Sequence, residues 1–292
     1  MSQSSHQFLE TLSRIANALE RIAPPARATP DFKRVIAARW RAAGATKYLE
    51  AVSHVHDMDA DWLVGIDEQL ATIDRNTKQF VSGKPANNVL LTGSRGTGKS
   101  SLVKAMLHRY QKRGLRLIEV EKEHLNDLPD IVDLIADVPF RFIVFCDDLS
   151  FDAGDGSYKA LKAILDGSIA ASSPNVLLYA TSNRRHLLPE YFHENEETKY
   201  VGEEVHFGES VEEKVSLSER FGLWISFYPF SQDEYLAAAH SWIAQLGGVI
   251  PKDAKRLEAM RLDALQWALQ RGSRSGRVAY QYARDFVGRA AR

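Results

Sequence analysis

Residues 93–100 read Gly-Ser-Arg-Gly-Thr-Gly-Lys-Ser, a G-x-x-x-x-G-K-[ST] pattern set between the apolar run Asn88 to Thr92 and an amphipathic stretch from Ser100 to Arg113. A strand that feeds a glycine-rich turn and then a helix is the arrangement in which successive amide N–H groups and the positive helix end converge on one anion. Gly93, Ser94, Arg95, Gly96, Thr97, Gly98, Lys99, Ser100 and Ser101 are therefore the candidate polyphosphate-binding residues. Lys99 is placed to reach the outer phosphates, and the Ser100 hydroxyl suits Mg²⁺, a hard cation that takes oxygen ligands.

The rest of the chain extends this strand-and-helix pattern. From Asp61 onward, short apolar strands are expected at Asn88 to Thr92, Leu115 to Val120, Phe142 to Cys146, Val176 to Thr181 and Leu223 to Phe227. Helices are expected between them at Ser100 to Arg113, Leu128 to Ala136 and Ser157 to Leu165. That alternation predicts a parallel sheet with helices on both faces, an α/β three-layer sandwich. After Pro229 the strands cease, and Ser231 with Glu234 forms a capping box that opens an all-helical tail. Ahead of Asp61, Phe8, Leu9, Leu12, Ile15, Ala16, Leu19 and Ile22 mark one amphipathic helix ending at Pro24-Pro25, and Phe32, Val35, Ile36 and Trp40 suggest a second over Asp31 to Ala43. The expected organisation is 1–60, an N-terminal helical region; 61–230, the α/β domain that carries the phosphate loop; and 231–292, an all-helical tail. The glutamate-rich stretch from Glu190 to Glu213 reads as a mobile acidic loop.

Chemistry-bearing residues stand where two of these strands end. Phe142 to Cys146 is apolar throughout, as a strand buried on both faces should be, and it runs into Asp147-Asp148. Ligands of open parallel sheets bind at the carboxyl ends of the strands. Asp147 there suits a second Mg²⁺ contact, and Asp148 suits a base that orients the attacking water. The next strand ends in Thr181-Ser182-Asn183, which offers a neutral amide to the terminal phosphate or to that water. Cys146 reads as inert core, and His54 and His56 lack metal-ligand partners at suitable spacing.

The order of phosphate loop, intervening strand, acidic strand end and polar strand end resembles the AAA+ ATPases. More closely, Asn87 to Asn183 and Ser216 to Phe230 resemble a bacterial AAA+ family known as domain of unknown function 815, through Asn88-Val-Leu-Leu-Thr-Gly-Ser-Arg-Gly-Thr-Gly-Lys-Ser, Leu128-Pro-Asp-Ile-Val-Asp, Phe145-Cys-Asp-Asp-Leu-Ser and Tyr179-Ala-Thr-Ser-Asn-Arg-Arg-His-Leu-Leu-Pro. The resemblance implies an ATPase using ATP and Mg²⁺, assembled as a homo-oligomeric ring or spiral, with a hexamer as the expected form. It implies that Asn183 is sensor 1 and that Arg220, in Leu217-Ser-Glu-Arg-Phe-Gly, is an arginine finger reaching a neighbouring subunit. It also implies that the all-helical tail, 231–292, is a lid, that Arg277, in Ser275-Gly-Arg-Val-Ala, is sensor 2, with Arg274 as the alternative, and that Val64 and Ile66 pack on the adenine. Two departures stand out. Asp148 replaces the usual glutamate, which predicts slow hydrolysis, and Glu121-Lys-Glu-His-Leu-Asn lacks the aromatic-glycine pair of polypeptide-threading pores.

Composition narrows the classes further. A formal net charge of −1 gives no global attraction to nucleic acid or anionic membrane, so polyanion binding has to be local. One cysteine excludes an intramolecular disulfide and suits a reducing, cytoplasmic setting, and no apolar run approaches a membrane span. The leading expectation is an ATP-hydrolysing switch or remodeller acting on a protein client. A slow-turnover ATP-dependent scaffold and a DNA-associated loader, the latter prompted by the basic helix expected around Arg34 to Arg41 and by the arginine-rich C-terminus, are the alternatives.

Overall fold

The computed structural model describes residues 3–22, 28–43, 46–151, 161–162, 165, 173–183, 199–201, 204–206 and 220–290. Its main sheet contains β1 (Ala37–Ala43), β2 (Thr46–Ala51), β3 (Val89–Gly93), β4 (Leu115–Glu119), β5 (Arg141–Cys146), β6 (Val176–Ser182) and β9 (Leu223–Phe227). The spatial order is β2-β1-β4-β5-β6-β3-β9. Every neighbouring pair is parallel except the β1–β2 hairpin. A separate antiparallel pair joins β7 (Lys199–Val201) to β8 (Glu204–His206). The helices are α1 (Gln3–Ile22), α2 (Asp67–Val81), α3 (Lys99–Tyr110), α4 (Leu128–Ile135), α5 (Gln232–Gln245), α6 (Ala254–Gln270) and α7 (Gly276–Ala290).

Alternation along the central strands divides the core in two, because successive side chains point to opposite faces. From β5, Ile143 and Phe145 join one cluster together with Ile73 and Phe80 of α2 and Leu102, Val103 and Met106 of α3. Phe142, Val144 and Cys146 join the other, with Leu128, Ile131 and Ile135 of α4. A strand with helices on both faces has no polar side to present, which is why Phe142 to Cys146 is apolar throughout. The tail packs onto the first cluster through Tyr235, Ala239, Met260 and Tyr282, so the lid and the sheet share one core. The Ser231–Glu234 capping box is present, with Glu234 N–H donating to Ser231 Oγ at 3.2 Å and Ser231 N–H to Glu234 Oε2 at 2.7 Å. Cys146 is buried, and desolvation pushes its thiol up to about 12. Among the described residues no helix is long and apolar enough to cross a membrane.

One expectation fails clearly. The second N-terminal helix, expected over Asp31 to Ala43, is absent; residues 37–43 form β1, and residues ahead of 61 supply two of the seven strands. Ala38 and Trp40 are core residues on one face of β1, and the intervening arginines turn the other way to meet acids. Arg39 Nη2 lies 2.7 Å from Glu119 Oε2, and Arg41 contacts Glu50 at 3.1 Å and Glu121 at 2.9 Å. Trp40 Nε1 donates to Asp127 Oδ2 at 2.9 Å, and Lys47 Nζ approaches Asp127 Oδ1 to 2.6 Å. The ladder to β4 and this two-residue charge alternation outweigh the helix propensity of an alanine-rich segment. Of the arginines that prompted a DNA-binding reading, Arg39 and Arg41 are thus committed to carboxylates beside the sheet.

A helix does occupy the first stretch as expected, Gln3–Ile22. The Pro24-Pro25 stop, most of the helix expected over Ser157 to Leu165, and all of Glu190 to Glu213 except β7 and β8 lie outside the described residues. Helix α2, which the sequence reading did not separate, packs against α3 and β9.

Trp40 should therefore behave as core. Trp40→Ala is expected to lower unfolding free energy by about 3–5 kcal/mol, read from urea denaturation, whereas truncation of a solvated helix face would cost well under about 1 kcal/mol.

Candidate functional site

The phosphate loop is shaped by backbone that only glycine adopts easily. Gly93, Gly96 and Gly98 have φ of 130°, 78° and 100°. A Cβ on Gly93 would lie 1.9 Å from the carbonyl oxygen of Phe227, so the loop can leave β3 only if that residue has no side chain. Gly98 is the N-terminal cap of α3, and the helix begins at Lys99 with its first N–H groups facing the loop.

Lys99 is buried, yet all three of its ammonium donors are used. Nζ donates to the Gly93 carbonyl at 2.7 Å, the Ser94 carbonyl at 2.7 Å and Asn183 Oδ1 at 3.1 Å. Burial is the largest influence on this group and pushes its pKa down to about 8; Asp147 and Asp148 pull upward, while Arg277 and Arg95 add to the lowering.

The two acids at the end of β5 take different environments. Asp147 Oδ1 accepts from Ser100 Oγ at 2.6 Å and from Thr181 Oγ1 at 2.6 Å. That threonine hydroxyl in turn accepts from the Asp148 N–H at 2.9 Å. Asp148 has φ of 54°, alone among described non-glycine residues in the left-handed region, where aspartate is among the better tolerated types. Its carboxylate accepts a short hydrogen bond from Asn183 Nδ2 and faces Arg95 Nη2 at 3.6 Å. Thr181 thus joins both acids of the candidate site, and it is not among the residues expected from the sequence. The signal available was its place two residues before Asn183, on the same strand end.

A cavity of about 750 Å³ connects these groups to the lid. Lys99, Ser100, Ser101, Asp147, Asp148, Thr181 and Asn183 line it, as do Val64, Ile66, Met58, Trp62, Phe230, Trp242 and Tyr280. Trp62, Trp242 and Tyr280 form an edge-to-face series with centroids 6.0 and 4.9 Å apart, a lining suited to a flat aromatic ring. Arg277 lines the cavity from the first turn of α7, and Arg274 does not. The Arg277 N–H donates to the Gly96 carbonyl at 3.2 Å, so the lid touches the phosphate loop directly. Arg220 stands in the turn ahead of β9, outside this cavity.

The donor set fits Mg²⁺. Ser100 Oγ and Asp147 Oδ1 are hard oxygen donors already 2.6 Å apart beside the phosphate loop.

A family model described as "Protein of unknown function (DUF815)" matches residues 33–290. The chain belongs to the DUF815 family. No curated protein matches it. Among solved structures, a point mutant of Thermotoga maritima RuvB aligns at 13% identity and TM-score 0.50, covering 79% of this chain and 64% of that one. The Aeropyrum pernix Orc1 protein in complex with DNA aligns at 16% identity and TM-score 0.52, covering 82% of this chain and 63% of that one. A second mutant of the same RuvB gives 14% identity and TM-score 0.50, covering 78% of this chain and 64% of that one. The DUF815 chain thus has the AAA+ fold, a three-layer α/β sandwich followed by helices forming a lid, and it spans less than two thirds of the length of these structures.

Lys99 offers a direct check on the site's electrostatics. With a folded value of about 8, the amine is mostly neutral above that pH, and a bound polyphosphate should restore its proton. Calorimetry of ADP binding in buffers of differing ionisation enthalpy should show proton uptake near pH 9 that vanishes near pH 7.

Proposed function

We propose that this chain binds and hydrolyses Mg-ATP, using the energy to switch its conformation and remodel a protein client. The observation that carries the reading is the convergence of Lys99, Ser100, Asp147, Asp148 and Asn183, from three parallel strands, in one cavity that Trp62, Trp242 and Tyr280 also line. Amides of residues 94–100 and the start of α3 bind the phosphates, and Lys99 exchanges its two carbonyl acceptors for phosphate oxygens. Ser100 and Asp147 would hold Mg²⁺, which would supply positive charge to offset the negative charge that builds on the phosphates. Asp148 accepts the proton of the attacking water, and Asn183 orients that water through its amide. Val64 and Ile66 pack on the base, with Arg277 closing from the lid.

Arg220, outside its own subunit's cavity, fits a role in a neighbour's site. A ring or spiral of identical subunits, a hexamer by resemblance, would bring it there, and such arginines contribute about 10³–10⁵ in rate. A cytoplasmic location accords with the single buried thiol. A second reading, a nucleotide-dependent scaffold with little turnover, is favoured by Asp148, whose side chain is one methylene shorter than glutamate. DNA association is the weaker alternative. The Aeropyrum pernix structure contains DNA, but here Arg39 and Arg41 are already paired with acids.

Single-turnover hydrolysis with Mg-ATP separates these readings. Turnover within minutes supports the enzyme, and persistence of ATP for hours supports the scaffold. Asp148→Asn should still bind nucleotide and slow hydrolysis by about 10²–10⁴, whereas Lys99→Ala should lose binding. Mixing Arg220→Ala with Lys99→Ala protein should recover activity that neither has alone. Failure of the wild-type chain to bind adenine nucleotide at millimolar concentration with Mg²⁺ would overturn the whole reading.

A further inference from the structure

Arg95 occupies the tip of the phosphate loop, between Gly93 and Gly96, and lines the same cavity as Lys99. Its guanidinium faces Asp148 Oδ2 at 3.6 Å, with the two side chains 76% and 56% exposed. The other Asp148 oxygen accepts from Asn183 Nδ2, and Asn183 Oδ1 accepts from Lys99 Nζ at 3.1 Å. A cation, a carboxylate, an amide and a second cation thus run in series from the tip of the loop back to its lysine. We propose that Arg95 restrains the Asp148 carboxylate until a terminal phosphoryl group competes for the guanidinium, so that the water-orienting acid is freed only by a nucleoside triphosphate. The inference rests on reading the cavity as a nucleotide site.

Three features support the exchange. The Arg95–Asp148 pair is exposed and long, hence readily broken. A phosphoryl group presents several charged oxygens and accepts a guanidinium bidentately, which makes it the stronger partner. The backbone of Asp148 is pinned by its own N–H to Thr181 Oγ1 at 2.9 Å, so releasing the carboxylate changes a side-chain torsion and leaves the strand end where it was. A diphosphate lacks the outermost group, so Arg95 should discriminate between the two nucleotides.

The test is calorimetry of the full chain with Mg-ATPγS and with Mg-ADP. Arg95→Ala should weaken ATPγS by about tenfold, as loss of a charge-assisted pair does, while ADP affinity stays within about twofold. Asp148→Asn, which removes the competing carboxylate, should tighten ATPγS but not ADP, and this gain should disappear in the Arg95→Ala, Asp148→Asn double variant. Arg95→Lys, which keeps the charge but not the fork, should recover part of the lost selectivity. Equal ATPγS affinity in wild type and Arg95→Ala, or equal loss of both nucleotides, overturns the proposal. Binding of ADP by the wild type and its loss in Lys99→Ala test the nucleotide reading separately, so the two can fail independently.

Discussion

The site exists because β6 lies between β3 and β5. Its parallel register with both strands, Leu91 opposite Thr181 and Phe145 opposite Tyr179, brings three carboxyl ends to one level. Lysine, carboxylates and amide arrive together although Lys99 and Asn183 stand 84 residues apart in the chain. The same pairing places the Thr181 hydroxyl against both Asp147 and the Asp148 backbone. A shift of two residues in this register would separate these groups by roughly 7 Å and dissolve the hydrogen-bonded array.

The phosphate loop, the strands that carry the chemistry and the lid helices were legible because each is locally determined. Glycines at forced φ, the unbroken apolar run before Asp147 and the Ser231–Glu234 box leave little to tertiary choice. The N-terminal hairpin was not. Phe32, Val35, Ile36 and Trp40 satisfy a helical period, while the deciding partners, Glu119, Glu121 and Asp127, lie about eighty residues later in the chain. Arginines at 39 and 41 facing acids at 119 and 121 were the readable clue, a period of two on both sides.

Within the candidate site, motif residues are legible in the sequence, whereas several neighbours are brought in by folding alone. Lys99 and Ser100 follow from spacing. Thr181 meets Asp147 only because β6 adjoins β5, and Trp242 and Tyr280 line the cavity only because α5 and α7 fold back over the first cluster. The Asp148 conformation was equally hidden, since it arises from the turn after β5 closing onto Thr181, where Leu149 N–H donates to the Thr181 carbonyl at 2.7 Å.

The contact between the Arg277 amide and the Gly96 carbonyl has a mechanical meaning. It places the fulcrum of α7 on the phosphate loop itself. A helix of fifteen residues is about 22 Å long, so a tilt of roughly 10° about that point would sweep its far end through about 4 Å. Small rearrangements of one turn would thereby be geared up into a stroke at the opposite tip of the lever.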